Sequence, residues 1–381
     1  MLLPACRSAP TIARVQTPDE LALLERLIAY DTSSEDGIRD AFAFLRGWLE
    51  GRSIAHREYE SNGLPSLVAA VGEGPRTIVW NAHVDVVPGR RDQFSPWRQD
   101  GRLYGRGAYD MKGALAGMLT ALSDLADARD SIPGLKVKLL IVPDEEAEEE
   151  PANAKASAFL AEEGHIGEFV ICGEPTNLEI GVQSKGVLVV RIDVEGRAAH
   201  GSTPWLGQNA ILRAIALYDQ ITRLPFTAAR SQLFDGPSVN IGRISGGDVV
   251  NKVPDHCRID VDIRYLPDQD AAEVLQQVRS LGASVTPIYE LPPADLDPSE
   301  PHVRELREAI RSVGGGDAPS VGRDGASDAV FFLRKGIPSI EFGPSGGGHH
   351  GPEEFVEIDS LSRYRNALVA FARRLSGTAA A

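Results

Sequence analysis

Cysteine is scarce: Cys6, Cys172 and Cys257 are scattered over 381 positions. An odd, dispersed set excludes a disulfide framework and fits buried apolar thiols in a reducing cytoplasm. Positive charge is also short, with 39 Lys+Arg against 54 Asp+Glu and a formal charge of −15. That balance, without a basic tract, argues against nucleic acid, which rewards clustered Lys and Arg. No apolar run nears the ~18–20 residues of a spanning helix, and no basic amphipathic helix offers itself to a membrane surface. The opening MLLPACRSAPTIARVQ is interrupted by Pro4, Arg7 and Pro10. It lacks the ~7–15-residue apolar stretch of a signal peptide, and a frayed tail is expected there. What remains is globular in composition, at 43% hydrophobic and 24% charged. Two domains are the default at ~100–200 residues each.

Thr17-Pro18-Asp19-Glu20 forms a capping-box pattern, and Leu21, Leu24, Leu27 and Ile28 follow at helical spacing. A second helix is expected over 40–51. Short apolar runs at 77–80, 137–142 and 169–172 predict strands buried on both faces, as in a parallel sheet. A helix over 111–126 places Leu115, Met118, Leu119, Leu122 and Leu125 on one stripe. Near Ile180 the character changes. Residues 187–194 and 257–265 alternate apolar and charged, as half-exposed antiparallel strands do. With helices at 207–221 and 270–281 and strands at 239–244 and 285–289, the order is β-α-β-β-α-β, a ferredoxin-like α+β motif. The α/β pattern then resumes, with helices over 303–313, 328–335 and 360–375 and a strand over 339–342. The chain therefore divides into an α/β unit, 1–179 and 293–381, and an inserted unit, 180–292.

The chemistry gathers at the ends of the expected strands. His83-Val84-Asp85, Asp144-Glu145-Glu146, Glu174 and His349-His350 each follow one, and Asp110 precedes the helix at 111. In an open parallel sheet, ligands collect outside the carboxyl ends of the strands. Each motif alone also suits a solvated charged turn; the ordered set does not. Histidine and carboxylate without thiolate suit Zn²⁺, Co²⁺ or Mn²⁺. In His-x-Asp, the Asp can hold the second imidazole nitrogen. In Asp-Glu-Glu, one Glu can bind metal while its neighbour takes a proton from water.

At these residues the sequence resembles the M20 family of co-catalytic zinc amidohydrolases and metallopeptidases. That family includes acetylornithine deacetylase, succinyl-diaminopimelate desuccinylase, aminoacylase-1 and carboxypeptidase G2-type enzymes. The carrying motifs are WNAHVDVVP (80–88), LYGRGAYDMKGALAG (103–117), VPDEE (142–146), GEPT (173–176), GRAAHGSTPWLGQNAI (196–211), NKVPDHCRIDVDIRYLP (251–267), GASDAVFF (325–332) and HHGPEEFVEID (349–359).

The resemblance implies a zinc-peptidase-like catalytic domain with a mainly parallel central sheet, and an inserted lid and dimerisation domain. It implies two divalent metal ions per chain, zinc before cobalt or manganese. Asp110 would bridge them, with His83 and Glu174 on one and Glu146 and His350 on the other. Asp85 would clamp His83, and Glu145 would be the general base. His350–Glu354 and His349–Glu353 share the family's His-x-x-x-Glu spacing. His350 is preferred because Phe355-Val356-Glu357 then falls in place. His200 would stabilise the oxyanion, entering the partner's site in a homodimer, and Arg264 and Asn251 would hold the substrate carboxylate. The implied substrate is a small N-acyl amino acid. A dipeptidase or carboxypeptidase is the near alternative, and a non-catalytic amino-acid-binding paralogue the distant one. Two departures stand out. The acidic run after Glu146 replaces small, Gly-rich residues, and Val330 replaces an Arg.

Overall fold

The computed structural model describes residues 19–128, 131–146 and 155–377. The tail, the start of the capping box at Thr17 and the acidic run 148–150 lie outside them. A nine-stranded sheet runs in the order Ala55–Ser61, Leu64–Val71, Leu135–Val142, Arg76–His83, Phe169–Cys172, Ser339–Glu341, Ile180–Ser184, Ala294–Asp295, with Ser320–Arg323 also paired to Ile180–Ser184. Its centre, from Leu135–Val142 to Ser339–Glu341, is parallel, and both flanks carry antiparallel pairs. The fold is thus mixed α/β with a parallel centre. The central strand Arg76–His83 is buried from Ile78 onward on both faces, which is why it lacks alternation.

The helix Lys112–Asp127 packs between this sheet and the helices Asp19–Ile28 and Ile358–Leu375. The pattern predicts a single apolar stripe, but from Lys112 to Leu122 the helix is buried all round. Ala114, Ala116 and Ala121 are small enough to let neighbours close in on its other faces. Gly117 lets Tyr364 close in, since a Cβ there would lie 2.6 Å from Tyr364 Cδ1. The helix expected at 40–51 starts earlier, at Glu35, because Ser34 caps it by accepting from Gly37 N.

A separate four-stranded antiparallel sheet has the order Ser238–Gly246, His256–Tyr265, Gly186–Glu195, Ser284–Leu291. The helices Ala210–Ile221 and Ala271–Arg279, capped by Asn209 and Asp270, share a core with its inner face that includes Leu188, Ile192, Ile259 and Val261. The β-α-β-β-α-β order is present in the chain. The expected boundary at Ile180 is displaced, because Ile180–Ser184 pairs within the large sheet and the smaller sheet begins at Gly186. Val330, standing where the resemblance has Arg, is buried with Phe331 against Val187 and Leu291. This apolar contact joins the helix Ala329–Leu333 to the smaller sheet. Among the described residues, no helix is long and apolar enough to cross a membrane.

Ile259 is fully buried in the smaller core. Ile259→Ala is expected to cost ~2–5 kcal/mol, by lost burial plus a cavity, read as a lower denaturation midpoint.

Candidate metal centre

Strand register brings the candidate ligands level. His83 pairs with Val142, and Asn81 with Cys172, so His83, Glu145, Glu146 and Glu174 emerge at one sheet edge. Asp110 arrives on the loop before Lys112–Asp127. The two C-terminal histidines reach it through a small antiparallel sheet absent from the sequence reading. In it Phe355–Glu357 pairs with Arg102–Tyr104, flanked by Gly346–Gly347 and Trp97–Gln99. That pairing draws the 349–354 segment onto the Asp110 loop.

His83 Nε2 lies 3.2 Å from Asp110 Oδ1 and 4.0 Å from Glu174 Oε1. Asp110 Oδ2 is in contact with His349 Nε2 and lies 3.4 Å from His350 Nε2. His350 Nε2 is 3.0 Å from Glu146 Oε1. Potential ligand atoms gather within 4.8 Å of one another in three groups: Asp110, His349, His350; His83, Glu145, Glu146; and His83, Asp110, Glu174. His83, Asp110 and Glu174 are buried, whereas both C-terminal histidines are half-exposed. His349 therefore joins the cluster beside His350; the contact to Glu146 is made by His350.

Asp85 holds the cluster together in an unexpected way. His83 Nδ1 is closest to the Asp85 carbonyl oxygen, at 3.0 Å, with the carboxylate at 3.5 Å. That carboxylate instead accepts from Glu145 N at 3.2 Å and Glu146 N at 2.9 Å. Glu354 carries the other anchor. One oxygen accepts from Tyr109 N and Asp110 N, both at 3.0 Å. The other accepts from Gly107 N at 2.9 Å and Arg106 Nη1 at 2.8 Å. The sequence reading assigned Glu354 no role; the His-x-x-x-Glu spacing was the signal for one. Its neighbour Glu353 is exposed.

The electrostatics call for a cation. Burial pushes the Glu174 carboxyl well above its ordinary value, and Asp110 and Glu145 add to the shift. Glu145 is likewise raised by burial, with Glu146 adding to it and His83 opposing. Burial would raise Asp110 too, but hydrogen bonds from His349, His350 and His83 hold it well below. Burial would lower His83, yet Asp110 and Asp85 hold it well above. Carboxylates crowded with imidazoles in a partly buried pocket are relieved by bound divalent ions, and a nitrogen–oxygen donor set without thiolate suits zinc-like metals.

The remaining predicted residues sit elsewhere, on the smaller sheet and its loops. His200 is exposed, with Nδ1 2.7 Å from Ser202 Oγ and accepting from Ser202 N at 3.1 Å. Asn251 lies beside it, its carbonyl accepting from Gly201 N at 2.7 Å. Arg264 is paired with Asp262 on its own strand, at 2.9 and 3.1 Å. No hydrogen bond or ion pair among the described residues joins these three to the cluster.

Fold and cluster together describe a hydrolase of the α/β metallopeptidase class. Residues 79–374 match the model of peptidase family M20/M25/M40, and the chain belongs to that family of hydrolytic enzymes. It is 28% identical to a succinyl-diaminopimelate desuccinylase of Gluconacetobacter diazotrophicus, over 82% of this chain and 85% of that protein. It is also 28% identical to an acetylornithine deacetylase of Photorhabdus laumondii, over 93% and 96%. The Bacillus subtilis YXEP protein, described as a dinuclear metal-binding peptidase from the M20 family, shares the fold. Its TM-score is 0.67 at 17% identity, covering 94% of this chain and 98% of that one.

Glu354→Gln leaves the buried Arg106 without its counter-charge and turns an amide nitrogen toward backbone donors. The expected loss is ~3–5 kcal/mol of stability together with weaker metal binding, measured by denaturant titration and zinc competition.

Proposed function

We propose that the chain is a di-metal amidohydrolase that cleaves the amide of N-acyl-L-amino acids, as the desuccinylase and deacetylase names of its relatives suggest. The observation that carries this reading is Glu145: a part-buried carboxyl, raised by its surroundings, beside the ligand groups rather than needed by all of them. His83, Asp110 and Glu174 would hold one ion. Asp110, Glu146 and His350 would hold the other, with Asp110 between. Two divalent ions, zinc or else cobalt or manganese, supply Lewis acidity and acidify water there. Glu145 takes the proton of the attacking water and returns it to the leaving amine. Asp85 fixes His83 and the Glu145–Glu146 backbone. A dipeptidase or carboxypeptidase would use the same machinery, and the fold shared with a dinuclear peptidase keeps that reading beside the first. Buried free Cys172 and Cys257 fit a cytoplasmic setting.

The smaller sheet, within the inserted 180–292 segment, is proposed as a lid and dimerisation unit. Arg264 pairs with Val187, near the crossing to the large sheet, while His256, at the other end of the strand, pairs with Glu195. At ~3.3 Å per residue the two ends lie roughly 26 Å apart. The loops bearing His200 and Asn251 leave from the far end. One small substrate carboxylate cannot bridge both ends of one chain, so Arg264 and the His200–Asn251 pair serve one site only if two chains contribute. Exposed Trp205, Leu206, Leu212, Ile215, Ile244 and Val250 supply apolar surface for a second copy on that unit. Ser202 N donates to His200 Nδ1, so the neutral ring carries its proton on Nε2 and faces outward as a donor to an oxyanion.

Release of free amine from acetyl-, succinyl- and dipeptide substrates with added Zn²⁺ tests the reading; a protein that binds these substrates without turnover would overturn it. Glu145→Gln is expected to keep its metals and lose ~10²–10⁴ in kcat, followed by the same assay and elemental analysis. Mixed His200→Ala and Glu145→Gln chains, each inactive alone, are expected to regain activity through hybrid dimers. A monomeric chain whose mixture stays inactive would overturn the shared site.

A further inference from the structure

The stretch after Glu146 departs from the small, Gly-rich pattern of the resemblance, and it ends at a lysine with an uncommon environment. Lys155 is only 4% exposed. Its Nζ donates to the carbonyl oxygen of Asp144 at 2.6 Å and to that of Glu145 at 2.7 Å. The N–H groups of the same two peptide units, those of Glu145 and Glu146, point the opposite way, into the Asp85 carboxylate at 3.2 and 2.9 Å. Two consecutive peptide dipoles are thus held between a buried ammonium at their negative ends and a buried carboxylate at their positive ends. Each peptide carries a dipole of ~3.5 D, and charge-assisted hydrogen bonds are about twice as strong as neutral ones. The arrangement fixes the rotation of both peptide planes. Those planes set the Cα–Cβ directions of Glu145 and Glu146.

Lys155 is itself held from behind. The Asp144 carboxylate accepts from Ala156 N at 3.0 and 3.1 Å, and Ser157 Oγ, two residues on, is bonded to Asp328 and Asn81. The clamp is therefore a continuous path from the large sheet at Asn81, and from Asp85 just beyond its strand, around the two glutamates.

We propose that Lys155 is a positioning residue for both glutamates, setting the general-base carboxylate and a metal-ligand carboxylate together through their backbone. The assignment of those two roles rests on the proposed function; the clamp geometry does not.

The test uses full-length protein reconstituted with zinc. Lys155→Met keeps the stem and removes the ammonium; Lys155→Arg keeps the charge. Lys155→Met is expected to lower kcat and the affinity of the more weakly held zinc ion by ~10–100-fold, the usual effect of losing support behind a metal site. KM should change little, and Lys155→Arg should recover part of both losses. A role confined to stability would lower the melting temperature and leave kcat per zinc-loaded chain intact. That result, or unchanged kcat and zinc affinity in Lys155→Met, overturns the proposal. If the Met variant does not fold, Lys155→Gln and Lys155→Arg decide it by the same two readouts: a neutral Gln that matches the wild type overturns it. A wild-type protein inactive on every amide tested overturns the proposed reaction instead, and zinc competition still decides the role of Lys155.

Discussion

One buried carboxylate, that of Glu354, joins the two ends of the site. Its four hydrogen bonds gather Arg106, Gly107, Tyr109 and Asp110 around a single acceptor group, and Arg106 in turn holds the carbonyl of His350 at 3.2 Å. The Asp110 loop and the histidine loop lie about 240 residues apart in the chain, and closing so long a loop carries an entropic cost that a single weak contact would not offset. The charge of Glu354 is satisfied only when both loops are in place. Placement of Asp110 against His83, His349 and His350 depends on that closure.

Behind this lies a division of labour among charges. The carboxylates of Asp110, Glu146 and Glu174 face the pocket. Those of Asp85, Glu354 and Asp144 face the backbone, each accepting from main-chain N–H groups. Sequence position does not distinguish the two kinds: Asp144, Glu145 and Glu146 are adjacent yet do three different things. A chain of this net charge can carry so many acids in one region because three of them are consumed by peptide hydrogen bonds.

Much of this was legible beforehand for a simple reason. Strands buried on both faces announce themselves as apolar runs, and His83, Glu145, Glu146 and Glu174 stand two to four residues beyond such runs. The smaller sheet was legible because alternation survives where one face meets water, as in Arg258, Asp262 and Arg264. What escaped was set by tertiary pairing. Ala55–Ser61 is polar and largely exposed, and Trp97–Gln99 is short and exposed, so neither carries a periodic signature. Lys155 reads as a surface lysine until the peptides it clamps are seen. The choice between His349 and His350 turns on loop geometry, including a positive φ of 56° at His350, which residue type does not forecast.

The close approach of Gly117 to the Tyr364 ring has a consequence for how this chain can drift. A methyl group at position 117 collides with the ring, and a smaller residue at 364 alone leaves a void in the core. Neither step is neutral by itself, while the two together exchange volume across the same helix contact. These positions therefore form a single heritable unit, in which a change at one becomes tolerable only in a background already altered at the other.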